Sequence, residues 1–106
     1  MINNPSTKTS LTSYSKCTNN VHELTADEPS TVIAANSKRL YAAIINNSSS
    51  QVTLILGKAG SGSLEKGIPI NPLGGSYEIN AANLYRGEVC AISTAKVKLS
   101  WVECIE

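Results

Sequence analysis

Residues Arg39-Leu40-Tyr41-Ala42-Ala43-Ile44-Ile45, then Asn46-Asn47-Ser48-Ser49-Ser50, then Gln51-Val52-Thr53-Leu54-Ile55-Leu56-Gly57 decide the fold. Two short aliphatic, β-branched runs flank a segment made only of amides and hydroxyls. Runs this short cannot carry a helical stripe, but they match the length of a strand. The first run is apolar on both parities, which predicts a central strand covered on both faces. The polar segment predicts a loop, and the runs 39–45 and 51–56 are the best hairpin candidate in the chain.

The same grammar continues on either side. Pro29 to Ala35 is β-branched and follows the acidic turn Asp27-Glu28. Ile68-Pro69-Ile70 alternates, and its proline restricts it to an edge strand or a connection. Pro72-Leu73-Gly74-Gly75 reads as a tight turn, Ser76 to Ile79 as a short strand, Asn80 to Leu84 as one helical turn, and Glu88 to Ser93 as a strand. In the last run Val97, Leu99 and Trp101 share one parity and Lys98 and Ser100 the other, the signature of a half-buried strand. No long stretch carries an apolar stripe of period 3.6. The expected fold class is all-β: an antiparallel β-sandwich, or a small barrel, of about six to eight short strands. Its expected core is Val32, Leu40, Ile44, Val52, Leu54, Leu56, Ile79, Val89, Ile92 and Leu99, with Trp101 as the one large ring. Burying each such side chain contributes about 1.5–3 kcal/mol. A core this small only narrowly offsets chain entropy, so oligomerisation or docking on a larger surface is expected.

The chain has 106 residues, of which 32 are Ser, Thr or Asn, against 16% charged residues and a formal net charge of +1. A near-neutral chain has no electrostatic footprint for nucleic acid and no polybasic patch for a membrane surface. No apolar run is long enough for a membrane-spanning helix, and Met1 to Pro5 lacks the apolar core of a signal peptide. The polar residues are unevenly placed: 12 of the first 20 positions are Ser, Thr or Asn. Residues 1–20 therefore read as an extended polar N-terminal arm that orders only against a partner, and residues 21–106 as the β-sandwich domain.

Little here suggests catalysis or metal binding. Cys17, Cys90 and Cys104 are odd in number and lack CxxC spacing, so free, mostly buried thiols are expected. The alternative is a cross-strand Cys90–Cys104 bridge. His22 is the only histidine and has no neighbouring ligand cluster in sequence, so no metal or cofactor is expected. Gly57-Lys58-Ala59-Gly60-Ser61-Gly62-Ser63 has the ingredients of a phosphate loop, but its lysine precedes the second glycine and no helix pattern follows. A flexible hairpin loop is the expectation. Asn46-Asn47-Ser48 and Asn47-Ser48-Ser49 match the glycosylation pattern but read as turn residues. There is no GxSxG elbow, Asp27 is the sole aspartate, and the glutamates are scattered, so the protein is not expected to be an enzyme.

From Val32 to Glu103 the chain resembles small bacteriophage virion proteins of the capsid decoration (cement) type. The elements that carry the resemblance are Arg39 to Ser48, the strand Val52 to Gly57, Gly67-Ile68, Pro72 to Glu78, Tyr85-Arg86-Gly87, Val89 to Ser93, and the terminal strand ending in Val102-Glu103. The turn at Pro72 inserts Leu73 into the simpler Pro-Gly-Gly form. The resemblance implies a β-sandwich that is made in the host cytoplasm and carried on the virion capsid surface. There it would bind the major capsid protein and staple neighbouring subunits, commonly as a homo-oligomer, in particular a trimer. The arm would then lie along a neighbour, with Ile2, Leu11, Tyr14 and Lys16 as the residues expected to meet the partner. The alternative is a tail- or fibre-associated sandwich with an adhesive role, carbohydrate binding included, for which Tyr41, Tyr77, Tyr85 and Trp101 are the available rings.

Overall fold

The computed structural model describes residues 13–106 and contains eight strands in two antiparallel four-stranded sheets. In chain order they are β1 (Lys16–Leu24), β2 (Ser30–Ile33), β3 (Arg39–Asn46), β4 (Val52–Leu56), β5 (Ile68–Ile70), β6 (Gly75–Ile79), β7 (Val89–Ile92) and β8 (Val97–Ile105). One sheet has the order β1-β8-β3-β6 and the other β2-β7-β4-β5. The β-sandwich expected from the alternating text is present.

The pairing is nested. β1 pairs with β8, β2 with β7, β3 with β6 and β4 with β5, as if a long two-stranded ribbon had been wrapped into a sandwich. This is the strand order of a jelly roll. It overturns the hairpin expected from 39–45 and 51–56. β3 and β4 lie in opposite sheets, and Asn46 to Ser50 carry the chain from one to the other. The buried Asn46 side chain shapes that bend. Its Nδ2 donates to Ser50 O (2.8 Å) and Ile70 O (3.1 Å), and its Oδ1 accepts from the Ser48 hydroxyl at 2.6 Å. Amides and hydroxyls at such a corner satisfy backbone groups that a change of sheet leaves without ladder partners.

The core lies between the sheets. Leu24, Val32, Ile33, Ala42, Ile44, Val52, Leu54, Ile70, Ile79, Val89, Ala91, Val97 and Leu99 form one cluster, with Trp101, Tyr77 and Tyr85 packed against it. Three expected members differ, the first being Ile92, which is buried in a separate cluster. Leu56 ends β4 exposed, and Leu40 is half-buried because it is the extra residue where the β3–β8 register shifts between Arg39 and Tyr41. β3 also lacks cover on both faces. Ala42, Ile44 and Asn46 are buried, while Tyr41, Ala43 and Ile45 are only half-buried on the outward side. β7 is instead buried along its whole length, as are Val52 to Ile55 of β4. β5, with Pro69, is an edge strand as expected.

The arm boundary moves. Lys16 to Asn20 belong to β1, whose nine residues pair without interruption from Lys16↔Ile105 to Leu24↔Val97. Ile2 and Leu11 lie outside the described residues. The thiol expectation is also corrected: Cys17 and Cys104 form a disulfide, and Cys90 alone is a buried free thiol. The Cys90–Cys104 alternative fails because Cys90 stands in β7, in the other sheet. The actual pair follows from the nested ribbon, which places the first and last strands side by side.

Candidate partner interface

The outward faces of the two sheets are finished differently. On the β2-β7-β4-β5 sheet, Ile55, Cys90 and Ile92 form a second buried cluster, roofed by Ala59 from the β4–β5 connection. Lys58 to Ser61 close a 3-10 turn, with Ser61 N–H and Oγ both bonded to Lys58 O. The Thr53 hydroxyl donates to Leu64 O at 2.9 Å, and Ser63 and Lys66 exchange backbone bonds. A Cβ at Gly62 would stand 2.5 Å from Lys66 O and 2.8 Å from Ile55 Cγ1, so glycine lets the connection lie flat on the sheet. The segment expected to be a flexible hairpin loop does join the antiparallel pair β4 and β5, but it is packed on the sheet. Its Ser61, Ser63 and Lys66 amides are spent on its own carbonyls.

Burial pushes the Cys90 thiol above its ordinary value, partly offset by its contact with the Thr31 hydroxyl. Thr31 in turn donates to the Glu88 carboxylate. With no exposed surface, this thiol is shielded from solvent.

Among the described residues, the β1-β8-β3-β6 sheet has no such roof. Strand alternation and register place Asn19 and Val21 of β1, Ser100 and Val102 of β8, Ala43 and Ile45 of β3, and Ser76 of β6 on its outward face. Val21 is 59% exposed, a large value for a β-branched side chain in the middle of a nine-residue strand. The central band carries no charge. Glu23 and Lys98 stand at one end and Glu78 at the β6 margin, and Lys96 Nζ lies 3.7 Å from Glu23. An uncharged, partly apolar centre with charges at its rim is the composition of a protein–protein contact.

At the other end of this face the Cys17–Cys104 disulfide, Tyr41 and Tyr14 come together. Tyr41 is opposite Cys104, and the Tyr14 ring lies 6.1 Å from the Tyr41 ring at 33°. The Tyr41 hydroxyl donates to Glu78 Oε2 at 2.5 Å, and that bond is the first cause of its raised pKa. Tyr14 is 50% exposed. Of the residues expected to meet a partner, Tyr14 therefore stands on this face. Lys16, exposed on β1, shares the opposite parity with Ile105.

His22 faces inward from β1, and its Nε2 lies 2.7 Å from Ser30 Oγ on β2. The two residues link the sheets at their margin. Among the described residues no carboxylate lies within ion-pair distance of His22, so the pair has no third group to orient it as a catalytic base. Also among the described residues, no group of three His, Cys, Asp or Glu could hold a metal, and no helix is long and apolar enough to cross a membrane.

Sequence reasoning missed two polar centres: Asn46 at the sheet-to-sheet bend, and Arg39. Arg39 is fully buried, bonded to Glu103 Oε2 and to the carbonyls of Tyr85, Gly87 and Ala34. A signal existed for the second. Glu103 continues the Val97, Leu99, Trp101 parity, which puts a carboxylate on the core face, where it requires a cationic partner.

No protein-family model, curated protein or solved structure matches this chain.

Proposed function

We propose that this protein is a structural component of a bacteriophage virion. In this reading it binds the exterior of the head and stabilises contacts between major capsid subunits, acting by docking rather than by catalysis. The observation that carries the reading is the unequal finish of the two sheets. One outward face is roofed by the protein's own connection, while the other, among the described residues, presents an uncharged band with Val21 exposed and Val102 and Ile45 half-buried beside it. An exposed apolar side chain within an uncharged strand face favours a contact surface there.

Two further points support it. The jelly-roll strand order recurs in viral capsid domains, and also in lectins, so it is support by analogy of fold only. The resemblance of Val32 to Glu103 to decoration proteins supplies the virion context. Polar residues 1–12, which lead into Tyr14 beside this face, would add contact along a neighbouring subunit, and a trimer would multiply weak contacts through avidity.

The test is addition of purified protein to bare capsids, followed by sedimentation and a count of copies per capsid subunit. Saturable co-sedimentation at a fixed ratio is expected. Absence of binding to capsids, or binding confined to tails, overturns the reading. Removal of residues 1–12 is the matching truncation, since a cut at residue 20 would also delete Cys17 and half of β1. Weaker attachment with an intact fold is expected from it.

A further inference from the structure

β1 is the first strand of the ribbon and, like the other edge strands β2, β5 and β6, it is hydrogen-bonded to one neighbour only, here β8. Of its nine residues only Leu24 is buried. The remainder depends on the ladder to β8, the His22–Ser30 contact and the Cys17–Cys104 bond near its start. The link from Leu24 to Ser30 must carry the chain from one sheet to the other in five residues. It does so with Asp27 at φ 63, a left-handed conformation uncommon for a residue with a Cβ, and with Glu28 N–H turned back onto Thr25 O. Pro29 follows and stiffens the link on its β2 side. A short, strained hinge next to a terminal strand with little burial favours exchange of that strand between copies, because β1 finds on a second chain the same β8 ladder that it leaves on its own.

We propose that the β8 edge is an acceptor for β1 of a second copy of this chain, and that the Cys17–Cys104 disulfide is the latch that decides between the two arrangements. The occupant is defined by the molecule itself: the nine-residue register Lys16↔Ile105 to Leu24↔Val97 shows which strand fits that edge. While the disulfide is intact, β1 cannot leave its own β8. A dithiol reductant opens the latch by thiolate attack. The S–S bond breaks, two protein thiols form, and the reductant becomes its own disulfide. β1 can then swing out, relieving Asp27, and pair with a neighbour. An oxidised dithiol then takes up the two electrons, is itself reduced, and closes a Cys17–Cys104 bond between chains. This inference does not depend on what the outward face binds.

The test uses the full chain in light and isotopically heavy forms, mixed at high concentration under native conditions, reduced, re-oxidised and mapped by mass spectrometry. Cys17–Cys104 peptides joining one light and one heavy chain are expected, approaching the statistical proportion, together with a covalent dimer or larger ring on non-reducing electrophoresis. Mixing without reductant is expected to give none. An Asp27→Gly variant, which carries the left-handed conformation without strain, is expected to lower the hybrid fraction severalfold. Cross-links only within single chains would overturn the proposal. So would hybrids dominated by Cys17–Cys17 or Cys90 pairings, which report random collision, not the β1–β8 register.

Discussion

Arg39 Nε donates to Glu103 Oε2 at 2.7 Å, with the arginine side chain wholly buried and the glutamate 12% exposed. This pair is the polar keystone at one end of the sandwich. It is made possible by the register shift between Arg39 and Tyr41, which turns Arg39 inward opposite Ile105. The guanidinium then reaches the carbonyls of Tyr85 and Gly87 (2.9 Å each) and Ala34 (2.7 Å), tying the β6–β7 and β2–β3 connections to β3 and β8. The Arg86 side chain returns a bond to Arg39 O at 2.9 Å.

Removing one partner of such a pair leaves a buried charge unmatched and three carbonyls bare. Arg39→Met should cost about 3–5 kcal/mol in denaturant unfolding. Arg39→Lys should cost nearly as much, since one ammonium cannot cover four acceptors spread around a planar fork. Stability unchanged in Arg39→Met would mean that the end of the sandwich is held by apolar packing alone.

How much of this was legible in the residues depends on the range of the contact. The strands themselves followed from local text, because Val97 to Trp101 alternate and Pro69 forces an edge wherever it is placed. Which strands pair is not local. β3 and β4 are neighbours in sequence and were the natural hairpin, yet each belongs to an outer or inner lap of a ribbon whose turns are set by Asn46 and by burial of both faces of β4. For the same reason residues 16–20 read as an arm. Lys16 to Asn20 are polar and exposed even when paired, so no hydrophobic period marks them, and their partner is at the other end of the chain. The Cys17–Cys104 bond was invisible until that pairing was known. The proposed contact face is legible only in part: Tyr14 stands out in the polar N-terminal segment, whereas Val21, Val102 and Ile45 read as ordinary strand residues.

The disulfide closes a sequence separation of 87 residues. Loop-closure entropy of that length, less any residual order in the reduced chain, corresponds to about 2–4 kcal/mol. Cys17→Ser should lower unfolding stability by this amount, and a reducing agent should bring the wild-type protein to the same value with no further effect on the variant. If reductant leaves wild-type stability untouched, β1 is held by its ladder and by Leu24 alone.

Tyr41 offers a pH readout on the outward face. Its pKa is raised above the ordinary 10.0, first through the hydrogen bond to Glu78, then by burial and the nearby charge. A group whose folded pKa is raised favours folding in its protonated form. The stabilisation is therefore fully present below pH 10.0 and disappears as pH climbs through the raised value. Ultraviolet titration should show Tyr41 ionising above the ordinary 10.0, and Glu78→Gln should bring that ionisation down. Identical titration of both proteins would show that Tyr41 and Glu78 do not associate in solution.

The outward face can be tested without disturbing the fold. Val21 is exposed and stands directly opposite Ser100 on β8, with Lys98 diagonal to it. Val21→Glu should change stability by no more than about 0.5 kcal/mol, since it fills no core space and the attraction of Lys98 on the diagonal offsets the repulsion of Glu23 two residues along the same face. A charge placed at the centre of a desolvated contact costs about 2 kcal/mol or more, so capsid attachment should weaken by a factor of about 30. Leu64→Glu is the matched control: Leu64 is 41% exposed, but it lies in the connection that roofs the other sheet. Sedimentation with bare capsids should show weakened binding for Val21→Glu and none of that loss for Leu64→Glu. The reverse order would move the docking surface to the opposite sheet, and equal binding by both variants would remove it from either face and leave residues 1–12 as the remaining contact.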